Sequence, residues 1–381
     1  MPTSDVVVIG GGIIGLACAR ELARAGAEVT LLEGEPAVAQ GSTARANGGV
    51  RAQFTTEPNI AFSRFSIDAY EGLAGDHPAV AFHQTGYLLL SGTEAGAAAL
   101  HAAADLQRAH GVDTESLAPV DVARVAPSGV RTEDVLAATF HVRDGFLDPA
   151  GAAAAFAAEA HATGATIVTR AAVRSLRRDG SRWAAHTDGA AYRADAVVNA
   201  AGPDAAEVGA LAGTALPVVP VRRNLAMFTD AAAPLTPMVV DLDTGVLARR
   251  EVAGGWVVAY SDPADPPGRA TSLDPRFVEA LAERVPHRFP FLADLPLDLD
   301  RCWAGLYPET PDHHAIVGPD PAVPGLVHAA GFGGHGIMHA PAAGRAVAEV
   351  VTRGRCDTFD LTPLRPGRFA EGDLVVEANV F

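Results

Sequence analysis

The sequence contains no lysine, so arginine supplies all 29 of its basic side chains and every mechanism based on a lysine amine is excluded. With 45 acidic residues the formal net charge is −16, and the arginines form no basic cluster. Nucleic acids and anionic membrane surfaces attract proteins of the opposite charge. We therefore expect no nucleic-acid partner.

Cysteine is also scarce, since the sequence contains only Cys18, Cys302 and Cys356 and they lie far apart. Their odd number and wide spacing argue against a disulfide framework, an iron–sulfur cluster or a zinc site. No run of 18 apolar residues is present, so we expect no membrane-spanning helix. These absences predict a protein without a metal site in a reducing compartment, which we expect to be cytoplasmic.

The N-terminal residues carry the clearest motif. The apolar run over 6–9 is too short for a helix and predicts a buried parallel strand. Gly10, Gly12 and Gly15 follow in G-x-G-x-x-G spacing, and a helix-forming stretch continues over 16–25. In this motif the first glycine permits a tight turn, the second lets the backbone approach a pyrophosphate, and the third lets the helix pack closely. The helix N-terminus then offers N–H groups and partial positive charge to the phosphates.

An acidic residue completes the motif. A second apolar strand over 28–32 leads to Glu33, which lies 18 residues past Gly15. A carboxylate at this place accepts a hydrogen bond from an adenosine ribose. Strand, turn, helix, strand and acid together predict a dinucleotide site. The position of the motif at the N-terminus favours FAD, although NAD binds by the same interactions.

Further segments have the composition of a cofactor site. The loop over 41–51 contains three glycines and small polar residues that can lie against a flat ligand. A buried strand over 195–202 ends in a turn, and the glycine turn over 331–336 precedes a helix over 338–353 with Pro341 in its first turn. The predicted cofactor-binding residues are Gly10, Gly12, Ile13, Ile14, Gly15, Glu33, Gly34, Ser42, Thr43, Asn47, Gly48, Gly49, Val173, Ala201, Gly202, Gly334, Gly336, Ile337 and Met338.

The chain is long enough for two packed domains, because it has 381 residues of which 49% are hydrophobic. After a change of composition at 217–220, the segments 221–228, 237–249 and 255–260 have the pattern of antiparallel strands, and Asp243, Thr244 and Gly245 indicate a hairpin turn. We predict an α/β protein in which a mixed antiparallel-sheet substrate domain is inserted into a Rossmann-like FAD-binding domain. The predicted FAD-binding domain is discontinuous and covers 1–80, 145–215 and 318–360, the substrate domain covers 81–144 and 216–317, and 361–381 form a C-terminal extension.

Six motifs that follow one another in order resemble the D-amino-acid oxidase-type family of FAD-dependent oxidoreductases over essentially the whole chain. The similarity is strongest to the β-subunits of sarcosine oxidase and proline dehydrogenase. The motifs are VVVIGGGIIGLACARELARAGAEVTLLE, GSTARANGGVRAQF, DGFLDP, VVNAAG, WAGLYPETPDHHAIVG and GFGGHGIMHAPAAGRAVAEVV. The resemblance implies FAD as cofactor and oxidation of the C–N bond of a small amino acid or imino acid, with hydride transfer to the flavin and an imine product.

The resemblance also assigns roles to single residues. Arg51 falls at the position of an arginine that grips the substrate carboxylate, and a guanidinium fork matches a carboxylate in a bidentate manner. A structural role for this arginine is the alternative. His335 lies in the Gly-His-Gly turn beside the flavin, where packing alone would also explain a histidine. The backbone N–H groups of Ile337 and Met338 are expected to face the flavin's pyrimidine edge and to stabilise its reduced, negative form.

Departures from the family pattern carry information as well. Some relatives have a lysine at the position of Met338, and the cysteine or histidine that attaches flavin covalently in others is replaced by Gly305 and Arg45. The FAD is therefore expected to be non-covalent. Because the lysine that activates oxygen in monomeric sarcosine oxidases is missing, oxygen and a protein or quinone acceptor both remain open as electron acceptors.

Aromatic and histidine side chains offer weaker candidates. Tyr260 is included as a catalytic residue with Arg51 and His335, since Tyr260, Trp256 and Tyr307 could line a substrate cavity, although core packing explains aromatic residues nearly as well. Of the adjacent Arg222 and Arg223, at most one can face such a cavity, because neighbours on a strand point to opposite sides. For the same reason His313 and His314 make a poor metal pair.

Three functions fit the sequence. The first is oxidation of a sarcosine-like or proline-like amino acid, which needs no protein base if the bound amine is neutral and well oriented. The second is oxidation of a 2-hydroxy acid, which would use His335 as the base. The third is a flavin subunit that passes electrons within a hetero-oligomeric dehydrogenase. The oligomeric state is left open by the sequence.

Overall fold

The structure is a computed structural model and describes residues 1–262 and 264–379. Its strands, numbered in chain order, are β1 Thr3–Ile9, β2 Val29–Leu32, β3 Gly49–Val50, β4 Tyr87–Ser91, β5 Glu115–Leu117, β6 Ala137–His141, β7 Gly145–Phe146, β8 Thr166–Val168, β9 Val173–Asp179, β10 Arg182–Thr187, β11 Ala191–Asn199, β12 Val219–Phe228, β13 Met238–Asp241, β14 Val246–Arg250, β15 Trp256–Tyr260, β16 Trp303–Glu309, β17 Ile316–Pro319 and β18 Leu326–Ala330. Its α-helices are α1 Ile13–Arg24, α2 Glu57–Asp76, α3 Glu94–Ala109, α4 Pro119–Val125, α5 Pro149–Ala162, α6 Ala205–Leu211, α7 Pro275–Arg288, α8 Gly336–Arg353 and α9 Arg368–Glu371.

The first sheet has the order β17-β18-β11-β1-β2-β8, and a hairpin of β9 and β10 joins it through β11. Its central strands are parallel: Ile9 pairs with Leu32 on one side and with Asn199 on the other, and Asn199 pairs with His328. The carboxyl ends of these strands therefore meet at one edge of the sheet. Such an edge is where open α/β sheets bind their ligands.

Helix α1 begins at Ile13, three residues before the helix predicted over 16–25, so that Gly15 lies inside its first turn. The side chains of α1 are buried almost throughout, because the helix packs on the sheet and against α5 and α8. This burial explains why the helix is built mainly from small apolar residues. The helix is stopped by Gly26, which has a φ of +90°.

Helix α8 begins at Gly336, so Pro341 lies in its second turn and the prediction of a first-turn proline was wrong. A proline lacks the N–H that would bond the carbonyl four residues earlier. That carbonyl belongs to Ile337, and the Tyr70 hydroxyl donates to it over 2.6 Å. Tyr70 is fully buried, and its hydrogen bond supplies the partner that the helix cannot.

The second sheet has the order β16-β12-β15-β14-β13-β4-β6-β5 and is antiparallel except where β4 pairs with β13. Helix α7 covers one face with an apolar cluster that includes Trp256, Val258 and Tyr260. The antiparallel strands and the turn predicted around 237–249 are present as the hairpin of β13 and β14, with its turn at 242–245. The described residues have the predicted α/β fold class, with two large mixed sheets and a two-stranded sheet of β3 and β7.

The end of the chain returns to the rest of the molecule. The guanidinium of Arg368 in α9 forms a bidentate ion pair with Asp312, with Nε–Oδ2 and Nη2–Oδ1 distances of 2.7 and 2.9 Å. Residues 373–379 then run without regular secondary structure to the segment around Thr55. Among the residues that the structure describes, no helix has the length and apolar character needed to cross a membrane.

A candidate cofactor and substrate site between the sheets

A cavity of about 970 Å³ lies between the two sheets. On one side it is lined by residues at the carboxyl ends of the parallel strands, among them Ile9, Leu32, Ala200 and Ala330. On the other side it is lined by residues of the second sheet. This volume is at the upper end of ordinary ligand pockets, and it suits a long ligand.

The glycine turn at the mouth of the cavity fits a dinucleotide. Gly10 has a φ of +108°, and a Cβ at this position would overlap the carbonyl group of Ala200. Gly15 does not line the cavity but lies behind the turn, where a Cβ would overlap the Gly10 carbonyl oxygen. The Thr43 hydroxyl accepts a hydrogen bond of 3.0 Å from the Ile13 N–H, which ties the start of α1 to the loop opposite.

The Glu33 carboxylate is held in place by the backbone on both of its oxygens. Oε2 accepts from the Gly11 N–H over 2.6 Å, and Oε1 accepts from the Glu35 N–H over 2.8 Å. Glu33 also lines the cavity next to the glycine turn. A fixed carboxylate at this place can accept from a ribose hydroxyl, as the sequence predicts.

The glycine-rich loop over 41–51 is fastened to the second sheet. The Ser42 hydroxyl donates to the Leu306 carbonyl over 2.7 Å, and Arg249 Nε donates to Asn47 Oδ1 over 2.8 Å. Because these bonds fix the loop on two sides, its backbone forms a rigid wall of the cavity.

The structure brings almost all predicted cofactor residues to this one cavity. The lining residues among them are Gly10, Gly12, Ile13, Ile14, Glu33, Gly34, Ser42, Thr43, Asn47, Gly48, Gly49, Val173, Ala201, Gly202, Gly334, Gly336, Ile337 and Met338. Gly15 shapes the turn from behind.

Arg51 also lines the cavity, and its side chain is almost fully buried. Nη1 donates to the Gln53 carbonyl, and Nη2 donates to the Asn379 carbonyl over 2.5 Å. The guanidinium carbon lies 3.8 Å from the centroid of the Phe54 ring. Burial lowers the pKa of Arg51, and the charge of Glu377 opposes that change. An arginine nevertheless stays protonated in proteins, so this part of the cavity carries a positive charge.

His335 precedes the first residue of α8 and also lines the cavity. Its ring meets the Phe54 ring edge-on, with 4.9 Å between the centroids. Burial, together with the charge of Arg51, holds the pKa of His335 well below 6.5. The imidazole is therefore neutral at pH 7. The first N–H groups of α8 have no partner within the helix and give this part of the cavity partial positive charge.

Two tyrosines complete the substrate end. Tyr87 and Tyr307 both line the cavity, and burial raises the pKa of each hydroxyl. Both therefore remain protonated and can donate hydrogen bonds to a ligand. Between them the wall is apolar, because Met238 and Leu247 of the second sheet also face the cavity.

Tyr260, predicted to be a catalytic residue, does not line the cavity. Residues alternate between the two faces of a strand, and in β15 Ala259 faces the cavity. Tyr260 and Trp256 point to the opposite face, where both belong to the apolar cluster under α7. Arg284 lies over the Tyr260 ring at 4.2 Å. The position of Trp256 on this face excludes it from the cavity as well.

The same alternation separates the two neighbouring arginines of β12. Arg223 lines the cavity and its Nη1 donates to Asp265 over 3.1 Å, whereas Arg222 pairs with Asp274 outside it. Arg223 is thus a second cation at the site.

The two histidines near residue 313 have separate structural partners. His314 Nε2 meets the Thr56 hydroxyl at 2.8 Å, and His313 Nδ1 meets Glu309 Oε2 at 3.1 Å. In the described ranges, no group of three or more His, Cys, Asp or Glu side chains is placed to hold a metal ion.

Some lining residues gave no signal in the sequence. Tyr87 is one hydrophobic residue of the apolar strand β4, and only the sheet register shows which face it takes. Ala171 and Ala172 could have been found, since they follow the carboxyl end of β8 just before Val173. Glu377 and Asn379 do not line the cavity but approach Arg51 from the end of the chain, a contact that no local pattern indicates.

The fold and the cavity first define a class: enzymes that hold a dinucleotide at the edge of a parallel sheet and enclose the substrate under a second sheet. The profile of the family described as DAO, FAD dependent oxidoreductase, matches residues 5–350. The chain therefore belongs to the DAO family of FAD-dependent oxidoreductases, and its cofactor is FAD. This finding confirms the resemblance read from the motifs.

Three relatives show how far the similarity extends. The crystal structure of L-proline dehydrogenase from P. horikoshii has 29% sequence identity and a TM-score of 0.93, covering 98% of this chain and 100% of that one. Glycine oxidase from Geobacillus kaustophilus has 27% identity and a TM-score of 0.85, covering 97% and 99%. The FAD-dependent oxidoreductase domain-containing protein 1 of Bos taurus is 30% identical over 98% of this chain and 86% of its own length.

Proposed function

We propose that this enzyme oxidises the C–N bond of a small amino acid or cyclic imino acid to an imine. The observation that carries the proposal is the position of Arg51, a buried cation that lines the same cavity as the glycine turn. Its guanidinium lies over the Phe54 ring, which contacts His335 just before α8. A substrate carboxylate gains most from a cation that is already desolvated. The solved relatives named for proline dehydrogenase and glycine oxidase support the same substrate class.

The residues of the chain can orient such a substrate without acting as acids or bases. Arg51 binds the carboxylate, the hydroxyls of Tyr87 and Tyr307 donate hydrogen bonds, and the apolar wall at Met238 and Leu247 excludes water. Orientation of a neutral amine by these groups lowers the barrier by fixing the α-carbon. FAD held by the glycine turn and the loop over 41–51 would supply the two-electron oxidation.

The neutral state of His335 favours an amine over a hydroxyl as the reacting group. A 2-hydroxy acid must lose a hydroxyl proton, and the only cavity imidazole among the residues described has a pKa well below 6.5. A base that weak is poorly matched to an alcohol proton at neutral pH. An amine can react as the free base and needs no such acceptor.

We also propose that the FAD is held without a covalent bond. Gly305 faces the backbone and Cβ of Arg45, so this pair offers neither a thiol nor an imidazole. Precipitation of the holoenzyme with acid should release all of its flavin into the supernatant. Flavin that stays in the pellet would contradict this proposal.

The decisive experiment is anaerobic titration of the holoenzyme with a panel of amino acids, N-methyl amino acids, cyclic imino acids and 2-hydroxy acids. We expect an amino acid or imino acid to bleach the visible absorbance band of the bound flavin. Bleaching by hydroxy acids alone would support the alternative substrate. Admission of air then separates an oxidase, whose band returns rapidly, from a dehydrogenase with another acceptor.

The isolated chain also tests the hetero-oligomer hypothesis. Steady turnover by a homogeneous single-chain preparation, with oxygen or an artificial acceptor, would show that no partner subunit is needed. Bleaching without any turnover would favour a flavin subunit that passes electrons to a partner.

A further inference from the structure

The last described residues, 373–379, form a segment of which only one end is fixed near the substrate end of the cavity. Leu374, Val375 and Val376 are exposed, whereas Glu377 and Asn379 are only 1% and 8% exposed. Because the exposed residues 374–376 bury little apolar surface, the segment depends on the polar contacts of its buried end.

Glu377 makes those contacts. Its Oε1 accepts from the Thr55 N–H over 3.0 Å and from the Thr55 hydroxyl over 2.6 Å, and its Oε2 accepts from the Thr56 hydroxyl over 2.7 Å and from Asn59 Nδ2 over 3.1 Å. Burial raises the pKa of Glu377, but the hydrogen bonds from Thr55 and Thr56 and the charge of Arg51 outweigh burial and lower the pKa overall. The carboxylate is therefore ionised and fully hydrogen-bonded at neutral pH.

Asn379, two residues after Glu377, contacts Arg51 directly. Its carbonyl accepts from Arg51 Nη2 over 2.5 Å, while its side-chain Nδ2 donates to the Gln53 carbonyl over 3.3 Å. The same Gln53 carbonyl accepts from Arg51 Nη1. These two carbonyls and the Phe54 ring are among the contacts that hold the guanidinium in its plane.

We propose that Glu377 is a positioning residue: it anchors the C-terminal segment so that the Asn379 carbonyl holds Arg51 in the orientation that binds the substrate carboxylate. Recognition of a carboxylate by a guanidinium fork depends on the plane of the fork. Without the anchor, Arg51 would lose one of its carbonyl partners and gain rotamer freedom, both of which weaken carboxylate binding. This inference rests on the proposed function for the role of Arg51.

The test uses the holoenzyme with E377A, E377Q and the control D373A. Asp373 lies in the same segment but forms an exposed ion pair with Arg365 at 2.7 Å. Propionate is titrated into each protein while the absorbance of the bound flavin is followed, and KM and kcat are then measured with the best substrate. We expect E377A to raise the Kd of propionate and the KM about tenfold, which corresponds to one lost hydrogen bond to a charged group, with kcat changed less.

The control D373A should match the wild type, and E377Q should lie between the wild type and E377A because its amide oxygen still accepts from Thr55 or Thr56. If E377A does not retain flavin, E377Q and a chain ending at residue 372 provide the comparison. An unchanged or tighter propionate Kd in the Glu377 variants would overturn the inference, as would a wild type whose flavin spectrum does not respond to propionate. If propionate binding depends on Glu377 but no amino acid bleaches the flavin, the positioning role holds and the proposed substrate class fails.

Discussion

The carbonyl oxygen of Gly10 lies so close to the Cα of Gly15 that a methyl group on Gly15 would overlap it. This contact lets the first turn of α1 approach β1 and places the helix N-terminus directly below the glycine turn. The third glycine of the motif thus acts through packing, whereas the middle glycine has free space around it: a Cβ on Gly12 would meet only the Thr43 hydroxyl oxygen at 3.4 Å.

Alanine substitutions of Gly15 and Gly12 should therefore have different effects, the first on folding and the second on cofactor binding. We expect G15A to lower the yield of folded protein and its melting temperature, because backbone must move to relieve the overlap. G12A should fold normally and lose FAD affinity, because the methyl group would stand where the pyrophosphate approaches. The measurements are thermal unfolding and flavin content after gel filtration, with G72A in the exposed face of α2 as the control. A G12A protein that binds FAD like the wild type would contradict this role.

Replacement of Arg51 by lysine should test the carboxylate fork. A lysine keeps the charge but loses bidentate geometry, so we expect the KM for the amino acid and the Kd of propionate to rise at least about tenfold. The matched control is R64K, since Arg64 lies on the exposed face of α2 and donates to the His110 carbonyl. Equal effects of the two substitutions would show that Arg51 has only a structural role.

Tyrosine-to-phenylalanine substitutions on the second sheet test the register. Y307F removes a hydroxyl from the cavity and should change the flavin spectrum and raise KM. Y260F removes a hydroxyl on the opposite face of the sheet and should leave both unchanged. Kinetics and visible spectra of the two variants check this expectation. An altered spectrum in Y260F with an unaltered one in Y307F would reverse the assignment of faces.

The comparison of Tyr260 with Tyr307 also shows what the sequence can predict. The positions of the glycine motif and of Glu33 could be predicted from the sequence, because strand, turn and helix are consecutive and interact locally. In the second sheet the strands could be predicted but not their faces, since a shift of one residue turns every side chain to the other side. Glu377 and Asn379 could not be predicted at all, because they reach Arg51 across more than three hundred residues. The non-local parts of the site are those that the sequence leaves open.

His339 should make the folded state sensitive to acid. It is buried beside the Phe54 and Phe62 rings, and burial lowers its pKa from 6.5 to about 3. Between these two pH values His339 is protonated in the unfolded state but not in the folded state. The contribution of His339 to the free energy of unfolding is therefore fully present above pH 6.5 and falls as the pH is lowered from 6.5 toward 3. The linkage amounts to about 1.4 kcal/mol per pH unit within that window.

The variant H339Q isolates this contribution while keeping a partner for the Ser63 hydroxyl, which lies 2.9 Å from His339 Nε2. Between pH 6.5 and pH 5 the wild type should lose about 2 kcal/mol more unfolding free energy than H339Q. Urea unfolding at the two pH values measures the difference. H101Q, at an exposed histidine, provides the control and should follow the wild type. Equal losses in the wild type and H339Q would mean that His339 titrates normally.

The ion pair of Arg368 and Asp312 should be among the most costly to break by a single substitution. Both side chains are completely buried, and Arg368 also donates to the carbonyls of Leu364 and His314 over 3.0 Å. Loss of one partner leaves a buried charge without its counterion, which costs about 3–5 kcal/mol. We expect R368M and D312N each to lower the free energy of unfolding by that amount.

The double variant R368M/D312N should lose much less than the sum of the two single losses, since neither charge remains buried. The control R174A, at the exposed pair with Asp188, should unfold like the wild type. Additive losses in the double variant would show that packing around α9, and not the pairing of charges, fixes the end of the chain.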